Sequence, residues 1–186
     1  MVTIKLKGRE VPLLYTSWEV KTIQEEIAPI HKVIRMVAGR NPEDEDDMSA
    51  FGGAEHVETL GKMIRILGNA GLEESGQEAD LTDKKVLRAL KPSQMTEAID
   101  AVSNALVEGM KSEIPEKEEE GPVDVTLEKM KKKRNEGKLT YLMIVSWGLI
   151  AGLTIPEINR MRPGAVMDLY IYRRNYDDQL HGIMRG

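Results

Sequence analysis

The chain has 186 residues, 41% of them hydrophobic but only 4% aromatic, with no cysteine and a net charge of −5. That length suits one medium domain or two small ones, with a core of Leu, Ile, Val, Ala and Met. The absence of cysteine excludes a disulfide framework and thiolate chemistry, and the opening MVTIKLKGRE lacks the apolar stretch of a secretory signal. Charge is unevenly spread: residues 1–125 carry 15 Lys and Arg against 25 Asp and Glu, a balance of −10, while residues 126–186 carry 11 against 6, a balance of +5. Two modules of opposite sign are expected, able to dock on each other or on different partners.

In chain order, Val2, Ile4 and Leu6 alternate with polar residues, Lys7 to Glu10 turn, and Val11, Leu13 and Tyr15 alternate again, which predicts a β-hairpin. Pro12 confines the second arm to an edge. Thr16 and Glu19 have capping-box spacing ahead of a helix marked by Ile23, Ile27, Ile30, Ile34 and Val37, with Pro29 set to kink or split it and Gly39 to stop it. Asn41 to Met48 reads as a solvated acidic loop. Its carboxylates, Glu43 to Asp47, lack the spaced ligands, central Gly and terminal Glu of a calcium loop. Val57, Leu60, Ile64 and Leu67 predict a further helix ended by Gly71. Thr82 caps a short one through Val86, Leu87 and Leu90, and Ser93 opens one with Met95, Ile99, Val102, Leu106 and Met110 on a single face.

The expected layout is mainly α: an acidic helical module with its N-terminal hairpin over residues 1–112, a charged Pro/Gly linker over 113–125, and a small basic helical module over 126–186. The linker, EIPEKEEEGPVDV, has almost nothing to bury. After it, Lys129 to Arg134 form a basic segment, read as a solvated helix face because no aromatic stacking residues accompany it. Leu139 to Leu153 carry no charge and read as a buried helix with Trp147 in the core. The run is shorter than the roughly 18 residues of a membrane span. Gly152 stops it, Thr154 and Glu157 form a second capping box with Leu153 and Ile158 at the staple positions, and Pro163-Gly164 restarts the chain in a last helix. On that helix Tyr170, Tyr172, Arg173, Arg174 and Tyr176 are candidate contact residues, since Tyr and Arg are favoured at interfaces.

No catalytic or metal constellation is legible. His31, His56 and His181 are scattered, Gly53 to Lys62 departs from a phosphate loop in spacing with Met63 where Ser or Thr is required, and no nucleophile elbow or dinucleotide fingerprint occurs. The expectation is a protein without catalytic activity, cofactor or metal.

Three stretches resemble a known family: the opening TIKLKGREVPLLYTSWEV; LKPSQMTEAIDAVSNALVEGM, which closes the acidic helical body; and the C-terminal series Trp147-Gly148-Leu149, Gly152-Leu153-Thr154-Ile155-Pro156-Glu157-Ile158, Met161-Arg162-Pro163-Gly164 and Asp168-Leu169. The last is similar to the "G-L-[ST]-x-x-E, hydrophobic, then T/R-P-G" arrangement in the tail assembly chaperones of long-tailed bacteriophages and prophages, in their two-module form extended by ribosomal frameshifting. The resemblance implies a chaperone whose N-terminal module coats the tape-measure protein and whose C-terminal module recruits major tail-tube protein, with Tyr170, Tyr172, Arg173, Arg174 and Tyr176 as the candidate tube contacts, in the host cytoplasm and without being retained in the virion. Self-association is left open. The competing expectation is a small helical nucleic-acid-binding regulator, against which Asp168, Asp177 and Asp178 on the would-be recognition helix weigh, because they repel phosphate.

Overall fold

The computed structural model describes residues 1–43, 47, 50–112 and 139–184, the last seven by backbone alone. The expected linker and the Lys129 to Arg134 segment therefore lie outside the described residues, as does most of the acidic run. Among the described residues the protein is mainly helical, with one short hairpin at the N-terminus.

Strands β1 (Val2–Leu6) and β2 (Arg9–Leu13) pair antiparallel, Ile4 opposite Val11. Lys7 and Gly8 have φ of 48° and 87°, a two-residue turn whose twist matches the flanking strands. Arg9 and Glu10, expected in the turn, belong to β2, because two residues at positive φ are enough to reverse the chain. Ile4, Leu6, Val11 and Leu13 turn inward.

The Thr16–Glu19 capping box starts α1 (Ser17–Glu26), and Pro29 divides the expected long helix, so that α2 (Ile30–Val37) begins just after it. Gly39, at φ 74°, ends α2. The centre of the body is α3 (Ala54–Glu74). Leu60, Met63, Ile64 and Leu67 are fully buried along it, and β2 lies directly across it: Leu14 N–H donates to the Leu67 carbonyl at 3.0 Å. Gly71 does not end this helix. A Cβ there would stand 2.1 Å from the Pro12 carbonyl oxygen, so Gly71 marks a close crossing, and the stop is Gly76 at φ 68°. Asn69 then holds the incoming chain, its side chain bonding both the N–H and the carbonyl of Leu81 at 3.0 Å.

Thr82 caps α4 (Asp83–Ala89) as expected. Arg65 on α3 ties this helix to α1, donating from Nε to Asp83 at 2.6 Å and from its terminal nitrogen to Glu26. Ser93 does not open the next helix: a 3-10 turn over Pro92–Gln94 leads into α5 (Met95–Met110), because Pro92 fits the first position of a turn and lacks the donor a helix interior needs. His56, one of the scattered histidines, is a core residue. Its Nδ1 accepts from Gly52 N–H at 2.9 Å, which leaves the ring proton on Nε2 to reach the Val37 carbonyl at 3.0 Å.

The C-terminal part follows the expected order of helix, turn, short helix, break, helix: α6 (Tyr141–Ile150), α7 (Ile155–Arg160) and α8 (Pro163–Met184). Thr140 caps α6, and Gly152, at φ 90°, makes the turn. These helices pack on α1 and α5, and Leu139, Ile144, Ile158 and Val166 join the same hydrophobic cluster as the hairpin and α3.

Candidate functional site

Three groups of contacts seat the C-terminal helices. At the N-terminus of α1, Thr16 Oγ1, whose hydroxyl serves Glu19, lies 2.8 Å from the Asn159 carbonyl oxygen, while the Ser17 N–H and hydroxyl reach the Met161 carbonyl at 2.9 and 3.0 Å. Further along α1, Gln24 accepts from Tyr141 N–H at 3.0 Å and donates to the Leu139 carbonyl at 3.4 Å, serving an otherwise unpaired donor at the start of α6. At the end of α5, Ser112 donates to Asp168, and a Cβ on Gly164 would meet the Lys111 carbonyl oxygen at 2.1 Å. Pro163 opens α8 as the sequence suggested, and Gly164 is required by this approach of two backbones. The Thr154–Glu157 box closes as expected, with Glu157 accepting from Thr154 N–H at 2.8 Å and from its hydroxyl at 2.6 Å.

The outer sides of these helices are apolar. Leu142, Leu149 and Ile150 are 73%, 51% and 58% exposed. Spaced seven and one apart, they share one face of α6, with Ser146 between them. The expectation of a buried helix is corrected here. Ile144 and Gly148 are buried, but α6 is apolar on every side, and its neighbours cover only one. Trp147, expected in the core, is half-buried; its ring stacks on Tyr170 with centroids 6.1 Å apart, beside Met167 and Ile171.

The five residues singled out on the last helix divide accordingly. Tyr170 faces inward onto Trp147, and its hydroxyl lies 3.4 Å from Arg174. Tyr172, Arg173, Arg174 and Tyr176 are exposed, with Arg173 bridged to Asp177 at 3.3 Å. Leu169, not among those five contact candidates, joins Tyr172 and Tyr176 on the same face. The signal for Leu142, Leu149 and Ile150 was present in the charge-free run itself: a helix apolar all round needs cover all round, and a short chain has few elements to provide it.

Among the described residues there is no cluster of His, Cys, Asp or Glu suited to a metal, and no helix is long and apolar enough to cross a membrane. The most perturbed groups, Tyr15 and Glu19, are interior. Burial raises both; the Tyr15 hydroxyl has no hydrogen-bond partner, and the nearby Glu19 charge raises it further. The arrangement is an exposed apolar surface carried on packed helices. No family model matches the chain, and neither the curated proteins nor the solved structures include one that matches it.

Proposed function

We propose that this chain is a non-catalytic assembly chaperone of a phage tail, working in the host cytoplasm and absent from the finished virion. Its N-terminal module binds the tape-measure protein, and its C-terminal helices recruit major tail-tube protein. The observation that supports this reading best is the outer face of α6, where Leu142, Leu149 and Ile150 stand in solvent on a helix without a charge. Large exposed apolar patches serve as contact sites for other proteins, and a transient carrier must present one that is later exchanged. The acidic balance of residues 1–125 suits a module that keeps a long apolar client dispersed. Tyr172, Arg173, Arg174 and Tyr176 of α8 form a second exposed surface open to the same partner.

The test is co-expression of the full chain with the tape-measure and tail-tube proteins encoded beside it, in wild-type form and as Leu142→Glu/Leu149→Glu. The wild type is expected to retain both partners. The double variant, altered at exposed positions and checked for an unchanged circular dichroism spectrum, is expected to retain the tape measure and lose at least tenfold of the tube protein, the scale of removing an interface anchor. Retention of neither partner by the wild type would overturn the reading.

A further inference from the structure

Beyond the chaperone reading, and independent of it, α8 carries a surface with its own symmetry. The helix has 22 residues and is about 33 Å long at 1.5 Å per residue. Its last buried side chain among those described is Ile171, and every residue from Tyr172 to Tyr176 is exposed, so the body gives that turn of the helix no cover. The stretch from Tyr172 to Met184 has 13 residues, and isolated helices of about that length are marginal in water. The outward face is nevertheless apolar: Leu169, Tyr172 and Tyr176, the two tyrosines 71% and 47% exposed, recur at spacings of three and four. The sequence continues that period at Leu180 and Ile183 along the described backbone.

This series reads the same in both directions. Leu169 and Ile183 stand seven residues either side of Tyr176, and Tyr172 and Leu180 stand four either side. At 100° per residue all five fall within about 80° of arc. Reversing the helix about Tyr176 thus superposes the stripe on itself, the condition for an isologous two-fold contact. Arg173 and Asp177 lie on one flank of the stripe. An antiparallel arrangement sets Arg173 of each copy beside Asp177 of the other, twice over, whereas a parallel one sets that flank against Asn175 and Gln179.

We propose that the outward stripe of α8 pairs antiparallel with the same stripe of a second copy of this chain, Tyr176 meeting Tyr176 at the two-fold axis. The bodies then lie toward opposite ends of the paired helices, leaving the α6 face of each copy outside the contact.

Because the chain has no cysteine, single thiols report the register cleanly. Tyr176→Cys in the full chain, oxidised with diamide, is expected to form a disulfide-linked dimer in high yield, since side chains facing across the axis meet disulfide distance requirements. Leu169→Cys alone is expected not to cross-link, but to cross-link when mixed with a chain carrying Ile183→Cys. Sedimentation of the wild type is expected to show a concentration-dependent dimer that Tyr176→Glu converts to monomer while the circular dichroism of the body persists. A wild type that is monomeric at all concentrations, a Leu169→Cys chain that links to itself as well as Tyr176→Cys does, or an assembly indifferent to Tyr176→Glu would each overturn the pairing.

Discussion

Two capping boxes of one design meet opposite electrostatic fates. Thr154–Glu157 stands in solvent, and the hydrogen bonds from the Thr154 hydroxyl and N–H lower the Glu157 carboxyl below its ordinary value. Thr16–Glu19 is buried beneath α7, and there burial wins over the same two bonds, with Glu73 adding to it, so the Glu19 carboxyl is raised. The sign follows by linkage. A native state with the higher pKa takes up its proton first as pH falls, so Glu19 contributes stability that grows from neutral pH down to the unfolded carboxylate range, near about 4.3, and levels off below it. Glu19→Gln keeps an oxygen to accept from Thr16 N–H at 3.0 Å and removes the buried charge. The variant is therefore expected to melt higher than wild type at pH 7, and the gap to shrink as pH falls toward 4.5 in paired thermal melts. A gap that stays constant or widens would contradict a raised Glu19.

At the scale of elements, glycine carries a second lesson. Ala at a helix-interior position gains about 1 kcal/mol over Gly by propensity, which predicts a stabilising Gly71→Ala if Gly71 merely sat in α3. The Pro12 carbonyl 2.1 Å from the added Cβ is backbone and cannot swing aside, so the substitution is expected to cost about 1–3 kcal/mol, the usual penalty of overpacking, measured by urea denaturation. The same contrast separates what the sequence discloses from what it hides. The hairpin, both boxes, the split at Pro29 and the last helix after Pro163 follow from period and local chemistry, which a linear reading captures. Gly71 and Gly164 look like punctuation, because the carbonyl that each one meets belongs to a distant part of the chain. Leu142, Leu149 and Ile150 fall between the two cases: the charge-free run shows that their helix needs cover on every side, but not which side lacks it. Hydropathy tells which residues would gain from burial, and only the arrangement of neighbours tells which of them obtain it.

For the molecule as a whole, the decisive fact is that the helices before residue 112 and those after residue 139 share one apolar cluster, joined at Thr16, Ser17, Gln24, Ser112 and Gly164. If a protease site is inserted between Glu119 and Glu120 and cut in the folded protein, the two pieces are expected to co-elute under native conditions and to part only in denaturant, because Leu139, Ile144, Ile158 and Val166 remain buried against the larger piece. Separation in plain buffer would show that the contact is weaker than a shared core. The Gln24 amide has a bearing on biosynthesis. It serves the first turn of a helix that begins more than a hundred residues downstream, so during translation α1 is complete long before its guest exists. Until then Thr16, Ser17 and Gln24 present an open berth to the cell. Any shorter product stopping before residue 139 would keep that berth vacant for good, so chains of two lengths from one message would display different sides of the same helix.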